Sequence, residues 1–123
     1  MDSRSKAKAH EIGADAERLG QLYLRSQGYK ILRSNFLCSG GEIDCIAMEG
    51  SVLCFVEIRA RSSAEHGHPL ETIGRQKQRR IVRAARAFMD EWVGPWPSLR
   101  FDALGILLGQ TPDFTLVKEA FEA

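Results

Sequence analysis

The sequence lacks the features that mark several large classes of protein. Its three cysteines are an odd number without a Cys-x-x-Cys pair, which argues against a disulfide framework and a cysteine zinc site. It has no apolar run long enough to cross a bilayer, and no apolar segment follows its basic N-terminal residues as in a signal peptide. The formal net charge of +1 gives no overall bias toward one kind of partner. We therefore expect a soluble, cytoplasmic protein without membrane contact.

What is present is the composition of one globular domain. The chain has 123 residues, of which 44% are hydrophobic and 27% charged, and it contains no internal repeat. We expect residues 1–9 to form a flexible polar N-terminus and residues 10–123 a single domain.

Hydrophobic periodicity and turn residues predict the order of the elements. The predicted elements are a helix at about 10–27, strands at 29–36, 42–48 and 52–60, a long helix at 71–92, and strands at 100–108 and 114–117. Glu49-Gly50-Ser51 has the composition of a hairpin turn between the second and third strands. This order predicts an α/β fold of the α+β type, with a mixed central sheet flanked by helices.

The predicted hairpin carries two carboxylates that face one another. Opposed residues of an antiparallel pair project to the same side. A two-residue loop at Glu49-Gly50 sets Asp44 diagonal to Glu57, and a four-residue loop sets the two directly opposite. Arg59 shares the strand face of Glu57. Both registers bring two carboxylates within reach of one Mg²⁺ ion, which prefers oxygen ligands.

An ordinary alternative is a solvated hairpin face on which Glu57 pairs with Arg59 or Arg61. Against it, Glu57 follows the nearly continuous apolar run 52–56, which is typical of a strand covered on both faces. A carboxylate in such a strand needs a partner or a metal ion.

The hairpin resembles the PD-(D/E)XK signature of the restriction-endonuclease-like superfamily, in Gly41-Glu42-Ile43-Asp44 and Phe55-Val56-Glu57-Ile58-Arg59-Ala60-Arg61. The chain is more closely similar to the YraN-like family of bacterial proteins. The other matching residues are Gly13, Glu17, Leu24, Gly28-Tyr29, Asn35, Gly67, Pro69, Lys77 and Arg100-Phe101-Asp102.

The resemblance implies a restriction-endonuclease-like core in αβββαβ order, similar to that of archaeal Holliday-junction resolvases. By position, it implies that Glu17, Asp44 and Glu57 hold Mg²⁺ or Mn²⁺ and that these three and Arg59 form the catalytic site. It also implies DNA as the partner and, since related resolvases are dimers, a homodimer.

The chain departs from this pattern at Arg59, where the family signature has lysine. Arginine stays protonated and presents a broad planar fork, so it binds phosphate well but accepts a proton poorly. Two alternatives to a loss of activity stay open: a bound metal ion alone activates the water, or Lys77 reaches the site from the second helix.

The second predicted helix has an arginine-rich flank. Five arginines fall within an arc of about 140° when successive residues are set about 100° apart, and no acidic residue lies between Glu71 and Asp90. Nucleic-acid phosphate is the partner that such a flank favours. The predicted nucleic-acid contacts are Arg61, Arg75, Lys77, Arg79, Arg80, Arg83 and Arg86.

Weaker signals are assigned to structure. We expect His66 and His68, which could ligate a metal ion, to be polar loop residues. Trp92 and Trp96 could stack on bases, but Trp92 belongs to the apolar arc of the helix, which favours core packing.

Three functions follow. The leading one is a metal-dependent endonuclease that hydrolyses phosphodiester bonds in structured or branched DNA. The alternatives are a catalytically degenerate nucleic-acid-binding protein with a nuclease fold, and a protein-interaction module whose arginine face meets an acidic partner.

Overall fold

The computed structural model describes residues 3–63, 65 and 67–123. Two α-helices and five strands follow the chain in the order α1, β1, β2, β3, α2, β4, β5, with a short 3₁₀ helix before α2. The elements are α1 (Ser3–Ser26), β1 (Tyr29–Cys38), β2 (Gly41–Glu49), β3 (Val52–Arg61), the 3₁₀ helix (Pro69–Thr72), α2 (Arg75–Asp90), β4 (Ser98–Leu107) and β5 (Asp113–Phe121).

The five strands form one mixed sheet in the order β1-β2-β3-β4-β5. All neighbours are antiparallel except β3 and β4, which are parallel. Parallel neighbours need a long crossover connection, and here α2 supplies it. The predicted mixed α/β fold is confirmed.

The sheet is covered on both faces, and this explains the continuous apolar run that opens β3. Leu53 and Phe55 pack toward α2 with Ile81 and Met89. Cys54 and Val56 belong to the other cluster, which includes Leu24 of α1. A strand buried on both sides has no polar face, so alternation disappears from its sequence.

Two helix boundaries differ from the predicted ones. Helix α1 begins at Ser3 rather than near His10. Helix α2 begins at Arg75 rather than at Glu71, because Gly74 is extended (φ −80°, ψ 177°) and separates α2 from the 3₁₀ helix. Within the described residues, neither helix has an apolar stretch of the length and hydropathy that a bilayer crossing requires.

Candidate functional site

The register of the β2–β3 hairpin places Asp44 against Glu57. Glu49 pairs with Val52 around Gly50-Ser51, and the regular ladder ends at the pair Cys45–Val56. The next position on each strand is Asp44 on β2 and Glu57 on β3. The observed two-residue loop is Gly50-Ser51, not Glu49-Gly50, and its register, extended one position past the ladder, is the one that the four-residue loop predicted.

Asp44 is held at the point where the ladder ends. Its Oδ2 accepts a hydrogen bond of 2.8 Å from the Ile58 backbone N–H, in place of a backbone carbonyl of β2. Burial, a hydrogen bond with Glu57 and the charge of Glu57 together raise the pKa of Asp44 well above its usual range. Among the described residues no ion pair reaches Asp44, and the Ile58 hydrogen bond and the charge of Lys77 offset the rise only in part.

Glu57 is buried, with 3% of its surface exposed. Its Oε2 lies 3.2 Å from Arg59 Nε and 3.5 Å from Lys77 Nζ. The pairing with Arg59 matches the ordinary alternative for the hairpin, but the burial does not. Two cations of different geometry therefore border one buried carboxylate.

Lys77 is brought to the site by the close approach of α2 to the start of β2. Gly41 is buried, and a side chain there would collide with the backbone of α2 at Arg80 and Ala84. This contact sets the first turn of α2 beside Glu42, whose Oε1 is 2.7 Å from Lys77 Nζ. The hydrogen bond and the charge of Lys77 lower the pKa of Glu42. The ammonium of Lys77 thus bridges Glu42 and Glu57.

Glu17, the third predicted carboxylate, lies on α1 outside this pair. Asn35 Nδ2 donates a 3.1 Å hydrogen bond to Glu17 Oε2, and Asn35 itself has a positive φ of 52°. One turn later, Gly20 packs against Ile58, the residue whose N–H binds Asp44. Glu17 is therefore near the pair but contacts Asn35. No group of three or more His, Cys, Asp or Glu side chains suited to one ion occurs in the part of the chain that the structure describes.

The chemistry of Asp44 and Glu57 fits a hard divalent cation. Desolvation of Asp44 comes first, and the hydrogen bond and like charge of Glu57 add to it, so that the pKa of Asp44 is raised and its proton is retained. A divalent ion would replace that proton and offset both charges, and carboxylate oxygens are the ligands that Mg²⁺ and Mn²⁺ accept.

Sequence reasoning did not assign a role to Glu42 or Asn35. Glu42 shares a strand face with Asp44, and that shared face was the available signal. The contact between Asn35 and Glu17 could not be predicted from the sequence, because it depends on how α1 crosses the sheet.

The loop histidines add little to the site. His68 Nδ1 accepts a 3.2 Å hydrogen bond from the Leu70 N–H and so caps the 3₁₀ helix. Its imidazole lies over Gly105, the β4 partner of Arg59. His68 is the polar loop residue that was predicted, and His66 lies outside the described residues.

The arginine-rich flank of α2 is fully on the surface. Arg75, Arg79, Arg80, Arg83 and Arg86 are all exposed, while Ile81, Ala84, Ala85 and Met89 are buried. Arg80 also reaches to 3.6 Å from Glu42, which connects the flank to the carboxylate site. Arg61, at the end of β3, is half-buried. The described helix therefore presents five exposed arginines, with Arg80 and the half-buried Lys77 next to Glu42.

The two tryptophans differ. Trp92 is half-buried, packs beside Phe88 and donates its indole N–H to the Pro95 carbonyl, as core packing predicts. Trp96, by contrast, is 61% exposed. The reason is the exposed connection after α2, in which Gly94, Pro95 and Pro97 carry the chain away from the helix before β4 begins.

The mixed sheet, the opposed carboxylates of its central hairpin and the cationic crossover helix define an α/β protein with an acidic site beside a basic surface. The model of the Uncharacterised protein family UPF0102 matches residues 16–106, and the chain belongs to that family. This confirms the YraN-like family expected from the hairpin.

Individual relatives cover most of the chain. A UPF0102 protein of Chlorobaculum parvum is 42% identical over 98 residues, which cover 80% of this chain and 76% of the relative. One of Chlorobium phaeobacteroides is 41% identical over 106 residues, covering 86% and 82%. One of Hahella chejuensis is 38% identical over 121 residues, covering 98% of both chains.

Proposed function

We propose that this chain is a metal-dependent endonuclease that hydrolyses phosphodiester bonds in structured or branched DNA. The observation that carries the proposal is the position of Lys77 Nζ, 3.5 Å from the carboxylate of Glu57. The lysine that is missing from the third position of the hairpin signature has a counterpart on α2. Arg59 then binds phosphate instead of replacing that lysine.

In this proposal Asp44 and Glu57 would hold Mg²⁺ or Mn²⁺, and Glu17 would join them from α1 after exchanging its bond with Asn35 for the ion. A divalent ion bound there would lower the pKa of a coordinated water and offset charge on the scissile phosphate. Lys77 contributes a compact ammonium that donates hydrogen bonds to the attacking water or to a phosphate oxygen. Hydrolysis then joins the water oxygen to phosphorus, breaks one P–O ester bond and leaves the displaced oxygen protonated.

The cationic flank of α2 supports nucleic acid as the substrate. Lys77 and Arg80 lie next to Glu42, and the remaining arginines continue from there along the exposed side of the helix. A polynucleotide backbone bound along this flank would lead a phosphate to the carboxylate pair. Phosphate contacts of this kind carry no base specificity, which suits recognition of shape over sequence.

The experiment compares the purified protein with its Asp44→Asn variant on four-way branched, single-stranded and duplex DNA, with Mn²⁺ or with EDTA. We expect Mn²⁺-dependent cleavage by the native protein and none by the variant, because the amide loses the charge that holds the ion. Asp113→Asn is the matched control, since Asp113 is exposed at the start of β5. Cleavage that persists in Asp44→Asn would refute the assigned site.

A catalytically degenerate nucleic-acid-binding protein is the second candidate, and the ion pair between Arg59 and Glu57 favours it. A bound guanidinium occupies the carboxylate that a metal ion needs. Tight, salt-sensitive binding of DNA without cleavage by any form of the protein would select this candidate. The absence of salt-dependent binding to any nucleic acid would instead favour an acidic protein partner for the arginine flank.

A further inference from the structure

A large apolar groove lies between α2 and the strands β4 and β5, away from the carboxylate site. Its volume is about 660 Å³. Aliphatic and aromatic side chains form most of its wall, and the exposed Trp96 stands among them. The apolar lining consists of Val82, Ala85, Met89, Trp96, Leu99, Phe101 and Phe121.

This groove continues into a second one of about 490 Å³ along the same helix. Four arginines, Arg75, Arg79, Arg83 and Arg86, outnumber the single acid Glu122 in the lining of the second groove, and both grooves share Val82, Arg86, Glu122 and Ala123. From Arg75 to Arg86 the helix rises about 16 Å, the length of roughly five stacked nucleotides at about 3.4 Å each. A cationic track therefore leads directly into an apolar groove.

Polar groups in the apolar groove discriminate among possible occupants. The acids Asp90, Glu119 and Glu122 line it, Arg86 lies where it joins the second groove, and Arg100 is already bound to Asp102 and Glu49. These three carboxylates repel any anionic group inside the apolar groove, a nucleotide phosphate included, so the phosphates of a bound strand belong on the arginines of the second groove. The carboxylates are suitable acceptors for the amino groups of a neutral aromatic ring, such as those of cytosine, adenine and guanine.

We infer that the two grooves together bind single-stranded nucleic acid, with unpaired bases in the apolar groove and phosphates on the arginines. This inference rests on the proposed function and extends it to the substrate's structure: a single-stranded branch or end beside the scissile phosphate. Trp96 offers a stacking surface for a base, since every base has a π-face and aromatic stacking tolerates any sequence. The apolar groove does not admit a paired base, whose flat faces are covered by its neighbours in the duplex.

The experiment measures binding of a labelled single-stranded oligodeoxynucleotide, and of the same sequence as a blunt duplex, in EDTA. We expect Trp96→Ala to weaken single-strand binding about tenfold or more and to leave duplex binding unchanged. Trp96→Phe should retain most of the affinity because it keeps an aromatic ring. Val93→Ala is the matched control, since Val93 is 94% exposed in the same connection but does not line the groove.

A second measurement follows the base directly. In a Trp92→Phe protein the indole fluorescence comes from Trp96 alone, because the chain has two tryptophans. Single-stranded DNA should quench that emission, and duplex DNA should not.

The outcomes separate this inference from the function on which it rests. Equal effects of Trp96→Ala on both DNA forms, or none on either, would overturn the base groove. If Arg83→Ala still weakens binding in that case, the proposed nucleic-acid function stands without it. Failure of the native protein to bind any DNA would overturn both.

Discussion

Glu57 and Asp102 are two buried acids on neighbouring strands, and they are stabilised in opposite ways. In the β3–β4 register Asp102 pairs with Val56, so it lies one position from the partner of Glu57. Asp102 is 0% exposed and Glu57 3%. Glu57 lies on the face toward α2, where Lys77 reaches it, and Asp102 contacts Tyr29 in the cluster beneath α1. Similar burial on opposite faces therefore allows a direct comparison.

Asp102 has a complete set of partners. Arg100 binds both of its oxygens at 2.8 and 2.9 Å, the Tyr29 hydroxyl donates a bond of 2.8 Å, and the Glu119 N–H donates one of 3.1 Å. Burial alone would raise the pKa of Asp102, but these hydrogen bonds outweigh it and the pKa is lowered. The same cluster raises the pKa of Tyr29, first by burial and then through its bond to Asp102. These interactions stabilise the fold.

The pair of Asp44 and Glu57 is the opposite case. Glu57 takes both nearby cations, Arg59 and Lys77, while Asp44 has no ion-pair partner among the described residues and its pKa is raised. A partly buried charge with few partners lowers the stability of the fold. Such destabilising groups persist in proteins mainly at functional sites. The difference identifies Asp44, within the described residues, as the acid of this pair that lacks an ion-pair partner.

The largest expected effect is on stability at Asp102. Asp102→Ala should lower the free energy of unfolding by about 3–5 kcal/mol, because Arg100 is left buried without its main partner. Urea unfolding monitored by circular dichroism measures it, with Asp113→Asn as a control that should change little. A loss below about 1 kcal/mol would show that the ion pair contributes nothing beyond its desolvation cost.

The next effect is on catalysis at Lys77, and it depends on the proposed nuclease activity. Lys77→Met should reduce the cleavage rate about 100-fold or more, because the ammonium beside Glu57 is lost. Adding Arg59→Lys to that variant should restore part of the rate by returning a lysine to the hairpin. Lys118→Met is the control, since Lys118 pairs with Glu49 near the other cluster. An unchanged rate in Lys77→Met would reduce Lys77 to a structural ion pair.

A smaller effect of opposite sign is expected at Asp44. Asp44→Asn keeps an oxygen that can accept from the Ile58 N–H but removes the repulsion with Glu57. At pH 7.5 it should leave the protein equally stable or more stable by about 1 kcal/mol. The comparison with Asp102 fails if urea unfolding shows Asp44→Asn to be destabilised as strongly as Asp102→Ala.

The smallest effects are gradients of stability with pH, about 1.4 kcal/mol per pH unit at most for each group. The pKa of Asp102 is lower in the folded protein than its value of about 3.9 in the unfolded chain. Its charge therefore stabilises the fold above about pH 3.9, and this contribution is lost as pH falls through the pKa of the folded state. The pKa of Asp44 is higher in the folded protein than in the unfolded chain. The free energy of unfolding therefore declines as pH rises from the pKa of the unfolded chain toward that of the folded protein.

Unfolding midpoints in urea between pH 3 and pH 8 measure both gradients. Asp102→Asn should flatten the rise in stability that the native protein shows as pH increases from 3. Asp44→Asn should flatten the decline in stability at higher pH. Two parallel profiles for these variants would contradict the opposed assignments.

Much of the candidate site was predictable from local rules. Strand alternation and the hairpin turn predicted that Asp44 and Glu57 face one another, and helical periodicity predicted the exposed arginines of α2. The pairing of Lys77 with Glu42 was not predictable, because it depends on how closely α2 approaches Gly41. The partners of Asp102 were missed for the same reason, since Tyr29 is 73 residues away in the chain.

The sequence by itself determined the order of the elements, the mixed sheet and the strand face that carries the carboxylates. These follow from the periods of strands and helices, which act over a few residues. Only the tertiary structure decided which acid is neutralised and which is not, and where the arginine flank meets an apolar groove. The physical reason is that charge compensation depends on distances of a few ångströms between elements that no local period specifies.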